Sequence, residues 1–159
     1  MSENFATFMY RDFQSRNVMI KNGEPYLIDY QGGRRGPIYY DIASFVWQVK
    51  AHFTPAIRQR LVEAYMDELE NQILHVVFSF KEKIQFHDRL MHYVFFRMLQ
   101  VLGAYGFRGK VERKPHFLES LPEAEDQLYH LVVDYSSLQD EFPYITDLVK
   151  QAYANRHDI

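Results

Sequence analysis

The chain has no cysteine, a single tryptophan and a net charge of only −3 over its 159 residues. The absence of cysteine excludes disulfide bonds, thiol catalysis and cysteine-ligated zinc. The small net charge gives no electrostatic reason to expect a nucleic acid or an anionic membrane as a partner. Arg97 interrupts the most apolar stretch, and residues 1–13 lack the basic and apolar regions of a signal peptide. We therefore expect a cytoplasmic protein that binds neither nucleic acid nor membrane.

Aromatic residues, by contrast, are abundant, with 13 Phe and 12 Tyr in a chain that is 47% hydrophobic. This composition indicates a packed globule, and the length suits a single domain over residues 1–159. The spacing of apolar residues predicts a mostly α fold of about five helices plus one small β-hairpin. The predicted helices cover residues 39–50, 55–71 and 81–105, a fourth helix opened by a capping box at Ser120, and a fifth beginning at Pro143.

The hairpin is predicted by a strong turn signal between two β-prone segments. Residues 18–20 and 26–29 flank an Asn-Gly pair, which favours a tight turn. Asn17 then stands at the entrance of the hairpin and Asp29 at its exit. The two side chains are expected to lie close together although twelve positions separate them. A glycine-rich loop, QGGRRGP over residues 31–37, follows.

The polar residues around this hairpin have the layout of a phosphoryl-transfer site. Such a site needs one group that orients the attacking hydroxyl and accepts its proton, and oxygen ligands that hold magnesium against the nucleotide phosphates. Asp12 suits the first role. Asn17, five positions later, and Asp29 suit the second, because a neutral and an anionic oxygen fit a hard cation. The alternative is that Asp12 caps a turn and Asn17 serves only the hairpin.

Residues 8–50, which include YRDFQSRN and LIDYQGG, closely resemble the second half of enzymes of the aminoglycoside phosphotransferase/choline kinase family. The family's loop pattern H-x-D-x-x-x-x-N is matched at Asp12 and Asn17 and departs at Tyr10, where His is usual. Its metal-binding Asp falls on Asp29. The resemblance implies a protein kinase-like C-terminal lobe that uses ATP and Mg²⁺, with Asp12 as base and Asn17 and Asp29 as metal ligands. Tyr10 is expected to pack under the loop.

The same resemblance suggests roles for five further residues. Asp41 would support the loop by accepting backbone hydrogen bonds, or would simply be a carboxylate at a helix N-terminus. Arg11 and Arg16 flank the predicted base and could contact phosphate or substrate, with a surface or ion-pair role as the alternative. Arg34 and Arg35, in the glycine-rich loop, would suit the carboxylate of an N-acetylmuramate; the simpler interpretation is a pair of solvated arginines.

Within the family, the wording of these motifs is most similar to bacterial cell-wall amino-sugar kinases. This implies a small-molecule sugar substrate, N-acetylmuramate or N-acetylglucosamine, phosphorylated at its anomeric hydroxyl. A kinase of this type also needs a nucleotide-binding lobe, and only nine residues precede Tyr10. We therefore expect the chain alone to bind ATP weakly or not at all and to be inactive, either as a truncated kinase or as a stand-alone module. The apolar face that would meet the missing N-terminal lobe would favour a homodimer.

Two other classes of function are alternatives to the kinase. The first is a non-catalytic remnant that binds a sugar or a protein partner, which the missing lobe favours. The second is a metal-dependent hydrolase that uses Asp12 and Asp29. It is the weaker interpretation, because the sequence lacks the histidines or additional carboxylates that such sites gather.

Overall fold

A computed structural model describes residues 6–75 and 77–156 of the chain. The chain divides into two compact units, one ending at Tyr93 and the other beginning at Val94. The division falls within one long helix, and the expectation of a single domain stays a prediction. Among the described residues, no helix combines the length and apolarity that crossing a membrane requires.

The first unit carries four short strands in two antiparallel pairs. Strands β2 (Val18–Lys21) and β3 (Glu24–Leu27) form the predicted hairpin, in the register Val18↔Leu27 to Lys21↔Glu24. Its turn is Asn22-Gly23, and both residues have the positive φ that such a turn requires. The predicted hairpin is therefore confirmed.

The second strand pair was missed by the sequence analysis. Strand β1 (Ala6–Met9) pairs with β4 (Arg34–Pro37), in the register Ala6↔Pro37 to Met9↔Arg34. The prediction of a glycine-rich loop over residues 31–37 was therefore wrong for its second half. Strand β4 contains a buried glycine, Gly36. A Cβ at this position would lie 2.7 Å from the sulfur of Met9. A larger residue at this position would have to displace the side chain of Met9.

The first unit also contains two shorter helices. Helix α1 (Tyr39–Val46) buries Ile42, Ala43 and Val46, and ends four residues earlier than predicted; a 3₁₀ turn follows at Val49–Ala51. Helix α2 (Pro55–Glu68) begins as predicted, with the Thr54 hydroxyl accepting a hydrogen bond from the backbone of Ile57 at 3.4 Å. A π-helical turn, Leu69–Leu74, continues α2 beyond its α-helical end. The hydroxyl of Tyr65 donates to the carbonyl of Ile38 at 2.5 Å and joins α2 to the start of α1.

The longest predicted helix is confirmed as α3 (Phe80–Gly106). Its apolar residues differ in burial: Phe86, Leu90 and Phe95 are fully buried, whereas Ile84 and Phe96 are 54% and 49% exposed. A helix of 27 residues presents more apolar positions than one face can cover, because successive turns drift around the axis.

The second unit contains the end of α3 and four further helices: α4 (Pro115–Leu118), α5 (Leu121–Asp134), α6 (Ser136–Glu141) and α7 (Pro143–Ala154). The predicted total of about five helices was therefore low, since the described residues form seven α-helices. The two additional helices, α4 and α6, have only four and six residues and are too short to produce a periodic stripe. The predicted capping box at Ser120 is absent: its hydroxyl donates to the carbonyl of His116 at 3.3 Å and does not cap α5.

Candidate active site

The segment Tyr10–Asn17 joins β1 to β2 and carries the predicted base and one predicted metal ligand. Its start is held by Asp41, in the first turn of α1. The carboxylate of Asp41 accepts hydrogen bonds from the backbone N–H of Tyr10 and from that of Arg11, the latter at 2.8 Å. Arg11 has a left-handed φ of 79°, which is unfavourable for a residue with a Cβ. The paired hydrogen bonds offset this cost, and they present Asp12 on the surface.

Asn17 occupies the end of a 3₁₀ turn, Ser15–Asn17, and is only 6% exposed. Its side-chain Nδ2 donates to the backbone carbonyl of Asp12 at 2.8 Å. Since the NH₂ group is engaged there, the amide oxygen points in another direction, and it is the atom that a cation would contact. One hydrogen bond therefore both ties Asn17 to Asp12 and sets the orientation of the Asn17 amide.

Asp29 lies next to Asn17 because of the hairpin. The backbone N–H of Ile28 donates to the carbonyl of Asn17 at 3.0 Å, one pair beyond the hairpin's regular register. Asp29 follows with a left-handed φ of 67° and an exposed side chain. Gln31 Nε2 donates to one oxygen of the Asp29 carboxylate. The structure thus brings Asp12, Asn17 and Asp29 into one neighbourhood, as the sequence predicted.

Tyr10 is buried at the start of the loop and connects the loop to the end of the hairpin. It is 6% exposed, and its hydroxyl donates to the carbonyl of Ile28, directly before Asp29. Burial, followed by the charges of Asp29, Asp12 and Asp41, raises the pKa of the Tyr10 hydroxyl. The hydroxyl therefore stays protonated at neutral pH and remains a donor. This placement agrees with the expectation that Tyr10 packs under the loop.

Among the described residues, the four predicted arginines share no common hydrogen-bonding partner. Arg11 extends toward the turn that contains Gly32, where its Nη1 is 3.8 Å from the position that a Cβ of Gly32 would occupy. Arg16 is exposed. Arg34 and Arg35 are exposed residues of strand β4, not of a loop. Successive side chains of a strand point to opposite faces. The prediction that these two arginines lie in a loop was therefore wrong, while their contact with a substrate carboxylate stays a prediction.

Two glutamines near the site were missed by the sequence analysis. Gln31 engages Asp29 as described above. Gln48, two residues beyond the end of α1, accepts hydrogen bonds from the backbone and the hydroxyl of Ser15 at 3.0 and 2.8 Å. Gln31 is two positions from Asp29 in the sequence, and this proximity could have predicted their contact. Gln48 is 33 positions from Ser15, and no local pattern connects them.

The donor set fits magnesium in a nucleotide complex better than a metal held by protein alone. The described residues contain no group of three or more His, Cys, Asp or Glu side chains that could hold a metal ion. Asn17 and Asp29 offer one neutral and one anionic oxygen. Mg²⁺ is commonly bound by one or two carboxylates, with substrate phosphates and water completing its shell. The residues present therefore fit Mg²⁺ as a companion of phosphate oxygens.

Comparisons with known proteins agree with the resemblance stated from the motifs. The model of the phosphotransferase enzyme family matches residues 3–72, which include the whole candidate site. The N-acetylmuramate/N-acetylglucosamine kinase of Neisseria meningitidis serogroup B (strain ATCC BAA-335 / MC58) is 24% identical over 142 residues. That match covers 89% of this chain and 42% of the relative, so the chain spans less than half of the relative's length. No solved structure matches the chain.

Proposed function

We propose that residues 3–72, which match the phosphotransferase enzyme family, provide the catalytic part of a small-molecule kinase. The reaction would transfer the γ-phosphate of ATP to a hydroxyl group, and the described fold would be the kinase-like C-terminal lobe. One observation carries the proposal: the hydrogen bond from Asn17 to the Asp12 carbonyl and the pairing of Asn17 with Ile28 bring base and metal ligands together. Asp12 and Asn17 lie on one loop and Asp29 follows the hairpin, and phosphoryl transfer would use a base and metal ligands that are close together in this way.

Asp12 would act as the catalytic base. Its side chain is exposed, so a substrate hydroxyl could reach it. The carboxylate would accept a hydrogen bond from that hydroxyl, orient its oxygen toward the phosphoryl group and take its proton as the new bond forms. The backbone on both sides of Asp12 is hydrogen-bonded, through Arg11 to Asp41 and through the Asp12 carbonyl to Asn17. Such fixation reduces the reorganisation that the reaction would otherwise require.

Asn17 and Asp29 would hold Mg²⁺ together with the phosphate oxygens. When bound, the ion would neutralise charge on the transferring phosphoryl group. The contribution of the chain is to fix both ligands beforehand. The Asn17 amide is oriented by its bond to Asp12, and the Asp29 carboxylate by its bond from Gln31. Neither ligand would have to be reorganised when the nucleotide complex binds.

The substrate we propose is a cell-wall amino sugar. The similarity to the Neisseria N-acetylmuramate/N-acetylglucosamine kinase supports this class. Arg11 and Arg16 flank Asp12 and are exposed, so either could contact the sugar or a phosphate. A cytoplasmic location, where ATP is available, and weak ATP binding by the chain alone both remain predictions.

A second candidate function is binding of a protein partner, and the hairpin favours it. Met19, Ile20 and Tyr26 are 53%, 67% and 54% exposed, on a two-stranded ribbon whose faces are open to solvent. Exposed apolar surface of this kind marks interaction sites. The partner would be a nucleotide-binding lobe or a second copy of the chain. Binding through this surface is compatible with the kinase proposal. In a non-catalytic remnant, such binding would be the only function of the chain.

Calorimetric titration with Mg·ATP, with and without N-acetylmuramate, tests the proposal. For the chain alone we expect weak nucleotide binding at most. Any binding that depends on the metal should be lost in Asp29→Ala and retained in Asp67→Ala, which removes an exposed carboxylate on α2. Identical binding by wild type and Asp29→Ala would contradict the proposed metal site. Sugar binding in the absence of any nucleotide binding would favour the non-catalytic alternative.

Transfer of labelled phosphate to N-acetylmuramate tests the base. In a preparation whose wild type transfers phosphate, Asp12→Asn should lower the transfer rate by about 10²- to 10⁴-fold, the usual contribution of a general base. Asp67→Asn serves as the matched control and should leave the rate unchanged. Transfer that survives in Asp12→Asn would exclude Asp12 as the base.

A further inference from the structure

We infer that Gln48 is a positioning residue for the loop that carries Asp12 and Asn17; its role in phosphoryl transfer rests on the proposed function. Gln48 follows helix α1 and lies half-buried against the loop. Its Oε1 accepts two hydrogen bonds from Ser15, one from the backbone N–H at 3.0 Å and one from the hydroxyl at 2.8 Å. No other side chain of the described residues holds the loop at this end by a hydrogen bond to Ser15.

The orientation of the Gln48 amide is determined by its other hydrogen bond. Nε2 donates to the backbone carbonyl of Phe45 at 2.8 Å. A carbonyl accepts only from a donor, so the NH₂ group must face Phe45 and the oxygen must face Ser15. The amide is thus engaged on both sides, and its oxygen is presented to Ser15 in a fixed position.

The contact with Ser15 performs the function of a helix cap. Ser15 begins the 3₁₀ turn that ends at Asn17, and the first N–H groups of such a turn have no partner inside it. The residue at the capping position, Gln14, makes no side-chain hydrogen bond to the turn. Gln48 supplies the missing acceptor from a distant part of the sequence. The turn that carries Asn17 is therefore capped by a residue next to α1.

Together, Asp41 and Gln48 attach the two ends of the loop to helix α1 and to the residues directly after it. Asp41, in the first turn of α1, holds the N–H groups of Tyr10 and Arg11, and Gln48, just past the last turn, holds Ser15. Between these ends the ring of Phe13 stacks on that of Phe45, with centroids 4.5 Å apart. The residues between the two attachments, Asp12 included, move with α1 and have little independent freedom. A catalytic group needs support of this kind to remain in its productive geometry.

Backbone hydrogen exchange, measured by NMR on the full chain, tests the inference. In Gln48→Met, which keeps the side-chain length and removes both bonds to Ser15, we expect the amides of Ser15 and Asn17 to exchange about tenfold faster. The amide of Leu90, in the buried part of α3, serves as the internal reference for global unfolding. Gln59→Met, which removes an exposed glutamine bonded only to Glu63 within α2, serves as the matched control and should change neither amide.

Two further variants separate positioning from a general loss of stability. Gln48→Glu keeps an acceptor for Ser15 and should restore most of the protection of its amide. Ser15→Ala removes only the hydroxyl bond and should give an intermediate change of about threefold. Unchanged exchange at Ser15 and Asn17 in Gln48→Met, or an equal acceleration at Leu90, would overturn the inference. Mg·ATP binding that is identical in the wild type and in Asp29→Ala would count against the proposed function and would leave the exchange result decisive for Gln48.

Discussion

The strongest structural prediction concerns Asp41, which holds the backbone at the start of the loop Tyr10–Asn17. Its carboxylate accepts from the N–H groups of Tyr10 and Arg11. In Asp41→Asn the amide oxygen can replace only one carboxylate oxygen, and the NH₂ group would face the second N–H. One charge-assisted hydrogen bond is lost and one backbone donor is left without an acceptor, which together cost about 2–4 kcal/mol.

The assay is urea unfolding followed by the fluorescence of Trp47, the single tryptophan, which directly follows α1. We expect the free energy of unfolding of Asp41→Asn to fall by about 2–4 kcal/mol. The loop would also relax, because the left-handed backbone of Arg11 would lose the contact that offsets its cost. Asp67→Asn, the exposed control on α2, should change the free energy by less than about 0.5 kcal/mol. A similarly small change in Asp41→Asn would refute the view that this carboxylate holds the loop.

Two other predictions follow from named hydrogen bonds. Tyr10→Phe leaves the carbonyl of Ile28 without its donor and should lower the free energy of unfolding, measured in the same assay, by about 1–2 kcal/mol; no change would contradict the role given to that hydroxyl. In the second unit, a hydrogen bond from Tyr153 at 2.6 Å, and then Arg156, lower the pKa of Asp126 below its usual 3.8. The folded-state pKa is thus below the unfolded value, so the stabilisation is present above about pH 4 and lost as the pH falls through the folded pKa. Wild type should lose stability below pH 4 more steeply than Asp126→Asn; equal slopes would contradict this.

The parts of the fold that the sequence predicted correctly are those specified by local signals. The turn between β2 and β3 is encoded in Asn22-Gly23 alone, and α3 by an apolar stripe that continues over seven turns. The hairpin then placed Asn17 beside Asp29 without any information from distant residues. The candidate site was therefore accessible from the sequence because its ligands lie at the two ends of one local element.

The parts that the sequence analysis missed depend on contacts between distant segments. The pairing of β1 with β4 places Phe8 opposite Arg35, which is distant in the sequence. Neither strand has an alternating pattern of apolar and polar residues. Gln48 reaches Ser15 over 33 positions, and a glutamine after a helix has no distinctive signal. Short strands and polar side chains of this kind are determined by tertiary structure, which local propensity does not describe.

The central claim is that Asp12, Asn17 and Asp29 form one site that holds a divalent cation with phosphate. Mn²⁺, added to the chain as a paramagnetic substitute for Mg²⁺ in the presence of ATP, should broaden the NMR signals of the Asn17 side-chain amide and the Asp29 backbone amide together. Both should broaden at concentrations that leave the amide of Asp67 unaffected, and Asp29→Ala should abolish the effect. Broadening that is equal at Asp67, or that persists in Asp29→Ala, would contradict the account.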